Sequence, residues 1–177
     1  ATSNPVTLGN ANLTPETINT YELAFNHKLS PKLSYSSNIF YYQIDDFIVF
    51  EFNPVTFAKQ AQNTGQIEGH GFEHEMTYYA TDELKLIGHY AYQTSKDKVH
   101  GGTLGEAPNH DLYLRSEWDM TSKYRFVSQI NYIGEQKRIY NDERSAVASY
   151  TTVDFTVIAK NIIKDVNAKL MLKNAFN

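Results

Sequence analysis

The sequence contains no cysteine, no long apolar run and no excess of positive charge. The lack of cysteine excludes a disulfide framework and any metal site built on thiolates. No stretch approaches the roughly 18 consecutive apolar residues of a membrane-spanning helix, and mean hydropathy is −0.48, so a helical membrane protein is excluded. Sixteen basic and twenty acidic residues give a net charge of −4. A nucleic-acid partner is not expected, because such partners usually meet a clustered basic surface.

Aromatic residues, in contrast, are abundant. Thirteen Tyr, ten Phe and one Trp make up 14% of the 177 residues, while charged residues make up 20%. The length suits one domain or one piece of a larger domain. Membrane β-strands alternate apolar and polar residues and therefore average out as mildly polar. The composition is therefore compatible with a membrane β-barrel.

Apolar residues recur with a period of two along almost the whole chain, which indicates β-strands rather than helices. The clearest examples of apolar residues at alternate positions are Leu112 and Leu114; Phe126 and Ile130; Phe155 and Val157; and Leu170 and Leu172. Polar residues such as Arg115, Asp154 and Lys169 alternate with them. Since a period of two places alternate residues on opposite faces, we expect one contiguous apolar band opposite these charges.

The connections between the predicted strands alternate between short and long. About eight antiparallel strands are predicted, over residues 17–29, 33–52, 64–80, 84–95, 110–120, 124–134, 150–162 and 166–176. Tight turns near residues 30, 81, 121 and 164 should lie at one end, and the long loops 53–63, 96–109 and 135–149 at the other. This all-β, up-and-down pattern is typical of transmembrane barrels. A soluble antiparallel sandwich or barrel is the alternative, although strands of up to roughly 20 residues are long for one.

The sequence shows no convincing catalytic or metal-binding set, so neither an enzyme nor a cofactor is expected. His70 and His74 would share a face of a strand but lie roughly 13 Å apart, too far to hold one metal ion. The long loops are the places where a ligand would be met. Cationic and aromatic side chains there suit an anionic iron chelate. The candidate ligand-binding residues are Lys98, His100, Lys137, Arg138, Tyr140 and Arg144.

Several short stretches resemble motifs of one known family, and they occur in its order and spacing. Asn12-Leu13-Thr14-Pro15-Glu16-Thr17 precedes Tyr21-Glu22-Leu23, like "N-L-x-P-E-T…Y-E-L-G", and Phe40–Ile48 is similar to "F-Y-x-x-I-x-D-x-I". Further matches are Asn63-Thr64-Gly65 with Gly69–Glu75, Ala107-Pro108-Asn109-His110, Tyr150–Asp154 and Lys173–Asn177. The family is that of the TonB-dependent outer-membrane receptors.

The resemblance implies a transport receptor rather than an enzyme. Such receptors are barrels of about 22 strands that enclose an N-terminal plug and import iron complexes with energy from the TonB complex. It implies a Gram-negative outer membrane, a ferric siderophore or similar small chelate as ligand, and membrane lipid and the TonB complex as partners. A small outer-membrane barrel enzyme and a soluble β-sheet binding domain are the alternatives.

Compared with the family pattern, residues 1–177 cover the C-terminal part of the barrel. By that comparison we expect neither the plug nor the final hairpin within them, since the sequence ends at the Asn174–Asn177 motif, after which the family normally adds one more hairpin. Ala1–Asn10 is polar and uncharged and does not resemble a secretory signal. The fold is therefore expected to be a segment of the barrel, whose strand edges pair elsewhere.

Overall fold

The structure is a computed structural model, in which residues 6–55, 57–105, 107–138 and 143–176 are described, Val6 by its backbone alone. These residues form nine β-strands and no helix. The strands are β1 (Val6–Leu8), β2 (Thr17–Ser30), β3 (Leu33–Asn53), β4 (Ala58–Tyr79), β5 (Leu84–Asp97), β6 (His110–Asp119), β7 (Tyr124–Ile133), β8 (Tyr150–Ile163) and β9 (Val166–Leu172). Helices that are long and apolar enough to cross a membrane do not occur in the described part of the chain.

Strands β2 to β9 form one sheet in which each strand pairs antiparallel with the next one in the sequence. Successive strands therefore reverse direction. The four short turns lie at one end of the sheet, and the connections β3–β4, β5–β6 and β7–β8 at the other. This confirms the predicted all-β, up-and-down arrangement of eight strands, although the last of them, β9, ends at Leu172 rather than near residue 176. The order ends at β2 and β9, which do not pair with each other within the described ranges, so the sheet is open.

The structure differs from the sequence-based prediction near the first long loop. Strand β4 begins at Ala58 rather than near residue 64, and the loop is correspondingly shorter. Strand β5 reaches β4 only as far as Ile67, which leaves the earlier part of β4 with one open edge. Strand β1 pairs there in parallel, with Val6 opposite Ala58. The alternation of side chains could not indicate this strand, because it has only three residues.

A β-bulge in β3 brings residues of three family-like motifs into contact. The register shifts between Ile44 and Ile48, and Asp46 adopts a φ of 57°. The Asn63 side chain donates to the carbonyls of Asp46 at 2.7 Å and Thr14 at 2.9 Å, and accepts from the Thr14 N–H. Glu16 accepts from the N–H of Ile48 at 2.8 Å. These motif residues thus brace a bulge, which is a structural role.

The register confirms the predicted apolar band. Leu114 lies opposite Ile130, Phe126 opposite Val157, Val157 opposite Leu170, and Phe155 opposite Leu172. These pairs place all eight predicted residues on one face. Arg115 pairs with Gln129 and Gln129 with Asp154 on the other face, where Lys169 also lies.

The apolar face is largely uncovered. A globular monomer of this mass exposes about 8,800 Å², whereas this chain exposes 12,435 Å². Among the described residues the buried apolar side chains are Ala58, Ile67 and Val127. Leu23 and Leu170 remain 70% and 75% exposed on the two outermost strands. A single layer of this kind needs an apolar surrounding, and in a barrel lipid provides it.

Candidate functional site

A cavity of about 90 Å³ lies on the polar face, at the end of the sheet that carries the long loops. Its described lining comes from three parts of the fold. The sheet contributes Tyr42, Gln93, Thr94 and Ser95; the β5–β6 loop contributes Thr103, Leu104, Gly105, Ala107 and Asn109; and the β7–β8 loop contributes Lys137. Two long loops and the sheet thus meet around one small space.

Three neighbouring strands place the sheet residues of this cavity. Tyr42 of β3 pairs with Gly69 of β4, and Gly69 pairs with Ser95 of β5. The Tyr42 ring extends across β4, because a Cβ on Gly69 would overlap the ring carbon Cζ and approach Oη to 2.5 Å. Glycine at position 69 therefore lets the phenol cross the strand and reach the cavity.

Backbone hydrogen bonds hold the β5–β6 loop against β5. The side-chain amide of Asn109 donates to the Gln93 carbonyl at 2.7 Å, and the Gln93 N–H donates to the Asn109 carbonyl at 3.0 Å. The Asp97 N–H donates to the Gly102 carbonyl at 3.2 Å. Gly102 has a φ of 92°, which lets the chain turn back sharply there. The loop therefore forms one wall of the cavity.

The β7–β8 loop is braced in the same manner. Gln136 and Val147 exchange both backbone hydrogen bonds, at 3.0 and 2.9 Å. The Arg138 guanidinium donates to the Ser145 carbonyl at 3.0 Å. Lys137 lies between these two tethers and is exposed, so its ammonium is available at the cavity.

Lys98 forms an ion pair with a carboxylate of β4, and His100 lies close to carboxylates of β5 and β3. Lys98 Nζ lies 2.7 Å from Glu68 Oε2, and this hydrogen bond to the carboxylate raises the pKa of the Lys98 ammonium above its usual value. Strand alternation places Glu68 on the same face as Phe72, the apolar face. His100 lies 3.0 Å from Asp97 and 3.7 Å from Glu51. Both residues thus tie the loop to the sheet, and Lys98 does so on the face opposite the cavity.

The other candidates lie in the β7–β8 loop. Lys137 lines the cavity, Arg138 braces the loop, and Arg144 is exposed. Tyr140 lies outside the described residues. Of the five candidates that the structure describes, it brings Lys137 to the cavity, and ligand binding by the set stays a prediction.

Sequence reasoning missed Tyr42, Gln93, Ser95 and Asn109 as cavity residues. Alternation groups Tyr42 with Phe40 and Ile44 as an apolar set, whereas the register pairs it with Gly69 and, through Gly69, with Ser95 on the polar face. The pattern also gives no sign that loops cover this face. Asn109 belongs to the Ala107–His110 motif, whose fixed spacing was the one available signal. Loop conformation depends on contacts distant in sequence, which a strand pattern does not contain.

Charged residues elsewhere on the polar face pair with one another. Arg115 Nε lies 2.7 Å from Glu117, and Arg125 contacts Asp119 at 2.6 Å and Glu117 at 3.6 Å. Within the described ranges, no group of three or more His, Asp or Glu side chains is arranged to hold a metal ion. The arrangement provides hydrogen-bond donors and one cation at the loop end, which is chemistry for binding.

Comparison with known proteins finds transport receptors that are similar to this chain. The metal-pseudopaline receptor CntO of Pseudomonas aeruginosa is 28% identical over 118 residues, which cover 60% of this chain and 17% of the receptor. The chain thus spans about a sixth of that protein's length.

Solved structures share the fold at lower identity. A variant of the ferric enterobactin receptor PfeA from Pseudomonas aeruginosa, in complex with enterobactin, has a TM-score of 0.82 and 20% identity, over 97% of this chain and 27% of that one. The FrpB iron transporter of Neisseria meningitidis has a TM-score of 0.77 and 16% identity, over 98% of this chain and 29% of that one.

A family match joins these observations. The family described as "TonB dependent receptor-like, beta-barrel" matches residues 1–177. The sequential antiparallel order, the uncovered apolar face and the loops gathered at one end agree with that description. The chain therefore belongs to the family of TonB-dependent receptor β-barrels.

Proposed function

We propose that this chain forms part of an outer-membrane receptor that binds a small metal chelate, a ferric siderophore first of all, and imports it with TonB-derived energy. The observation that carries the proposal is the cavity on the polar face beneath two braced loops. A chelate arriving from the loop end would meet it before the cavity of about 310 Å³ near the short turns, which is lined by Lys28, Ser34 and Thr77 among others. Relatives named as ferric enterobactin and metal-pseudopaline receptors support the ligand class.

The same proposal covers the place of this chain in the receptor. It supplies a C-terminal section of the barrel, with β2 and β9 pairing with strands from the rest of the wall. The open sheet and the 27% coverage of the enterobactin receptor support this arrangement. Lipid covers the apolar face, and the plug and the TonB contact belong to other parts of the receptor. No catalytic step is proposed, since the relatives are transport receptors.

Uptake by iron-starved cells tests the proposal. A strain lacking the gene for the full-length receptor is complemented with the wild-type gene, and accumulation of radioactive iron from a panel of ferric chelates is measured. We expect accumulation of at least one chelate to require both the receptor and an energised inner membrane. Accumulation of every chelate at the same rate without the receptor would contradict the proposal.

The basic loop residues are tested in the same cells. Replacing Arg138 and Arg144 together by Ala should weaken uptake, because truncating one partner of a buried, hydrogen-bonded charge pair costs about 2–5 kcal/mol. Replacing Lys123 and Lys164, which lie in turns at the opposite end, by Ala provides the matched control. Unchanged uptake with normal surface expression would remove Arg138 and Arg144 from the binding site.

A further inference from the structure

Unpaired polar groups converge on the cavity. Within the described part of the chain, the phenol oxygen of Tyr42, the side-chain amide of Gln93, the hydroxyl of Ser95 and the ammonium of Lys137 have no hydrogen-bond or ion-pair partner. The neighbouring basic residues differ, since Lys98 and Arg138 already bind protein atoms. Four groups that can donate hydrogen bonds therefore remain for a ligand.

The charge of the cavity indicates the type of ligand group. Lys137 is the one charged side chain among the described residues that line it. A single ammonium with neutral donors around it matches an acceptor group of one negative charge. Phosphate groups are usually met by arginine forks or by several cations together. A carboxylate is acceptor-only and uses up to about four donated hydrogen bonds, so it fits this set better.

The size of the cavity limits what enters it. Pockets that enclose a whole small ligand usually measure roughly 300–1,000 Å³, while this one measures about 90 Å³. It therefore has room for one arm of a chelate and not for the metal centre. The Tyr42 phenol reaches this space only because position 69 is glycine.

We infer that the cavity formed by Tyr42, Gln93, Ser95 and Lys137 binds one carboxylate arm of the transported metal chelate. This rests on the proposed function and narrows its ligand class to chelators that bear carboxylates. Lys137 supplies the charge, Tyr42 and Ser95 donate hydroxyl hydrogen bonds, and Gln93 donates from its amide. The metal centre then stays outside, on the side of the cavity that faces the barrel interior.

Protection of Lys137 from acetylation tests the inference on the full-length receptor in outer-membrane vesicles. An amine-reactive acetylating reagent is applied with ferric citrate, a carboxylate chelate, or with ferrioxamine E, a cyclic hydroxamate chelate without carboxylates or free amines. Mass spectrometry follows Lys137 and, as an internal control, the turn residue Lys123. We expect ferric citrate to slow acetylation of Lys137 alone, and ferrioxamine E to have no effect.

Two variants show whether the protection comes from this cavity. Tyr42→Phe removes the hydroxyl, and Gly69→Ala displaces the ring. Each should raise the half-protecting concentration of ferric citrate by about tenfold, as expected for loss of one hydrogen bond to a charged group. The control variant is Tyr113→Phe, which removes a hydroxyl from the polar face of β6 outside the cavity. It should leave the half-protecting concentration unchanged.

The outcomes separate this inference from the proposed function. Absence of protection by ferric citrate, equal protection by both chelates, or protection unaffected by the loss of the Tyr42 hydroxyl would each overturn the carboxylate site. If iron uptake still depended on the receptor despite any such result, the transport proposal would remain valid. Protection that behaves as expected, without uptake of any chelate, would retain the site and overturn the transport proposal.

Discussion

Phe155 and Asp154 are adjacent in β8 and project from opposite faces of the sheet. The Phe155 ring stacks on Phe126 at 5.8 Å and meets Phe176 edge-on at 6.3 Å, on the apolar face. Asp154 accepts a hydrogen bond from the Asn174 N–H at 2.8 Å, on the polar face. We expect Phe155→Lys to destabilise the full-length receptor by up to about 2–4 kcal/mol, because it places a charge against lipid.

Asp154→Asn is the matched control for that change. Its side-chain oxygen can still accept from Asn174, so the loss of stability should be small. Urea unfolding in lipid vesicles, followed by tryptophan fluorescence, measures both variants. Equal destabilisation by the two changes would contradict the assignment of faces.

The β5–β6 loop depends on one carboxylate, that of Asp97. It accepts from the N–H groups of Val99 and His100 at 2.8 and 2.9 Å and from the His100 ring at 3.0 Å. Burial alone would raise the pKa of Asp97, but these hydrogen bonds outweigh it and hold the pKa below the usual value. Asp97 is the last residue of β5 and lies beyond the roughly ten residues that a spanning strand needs.

The lowered pKa fixes how the order of this loop depends on pH. The stabilisation from Asp97 is fully present above its unfolded-state pKa of about 3.9 and is lost as the pH falls through the lower folded-state value. Amide protection factors of Val99 and His100, measured by hydrogen exchange on the purified receptor, should therefore hold down to about pH 4 and then fall.

At neutral pH, Asp97→Ala should lower the protection factors of the same amides by about tenfold, the effect of losing one good hydrogen bond. Asp82→Ala, in the β4–β5 turn at the opposite end of the sheet, is the control. If Asp97→Ala left the exchange unchanged, the carboxylate would not hold the loop.

The strands could be predicted far better than the loops, for a physical reason. Residues such as Phe126 and Val157 show their face by alternation with their sequence neighbours, and the short turns leave one way to pair the strands. The bulge at Asp46 depends instead on Asn63 and Thr14, which are distant in sequence. The cavity likewise requires Tyr42 of β3 and Lys137 of the β7–β8 loop to line one space. No local pattern contains such contacts.

The chain as a whole is an open sheet with two unpaired edge strands and an uncovered apolar face. Without lipid or the rest of the barrel, both features favour association between copies. We expect the isolated 177-residue chain to aggregate in aqueous buffer and to retain β-structure in detergent micelles. Sedimentation with circular dichroism distinguishes the two conditions. A stable, soluble monomer in detergent-free buffer at micromolar concentration would contradict an apolar face made for lipid.

Above the bulge, β3 and β4 continue together as an arm, with Phe47–Asn53 paired to Ala58–Gly65. Seven residues at about 3.4 Å each give the arm a reach of roughly 24 Å, and at its tip Val55 is 86% exposed. On a living cell, antibodies and proteases could reach this tip from outside. A peptide tag inserted between Pro54 and Val55 should therefore be stained on intact bacteria. The same tag between Pro31 and Lys32 should be stained only after the outer membrane is permeabilised.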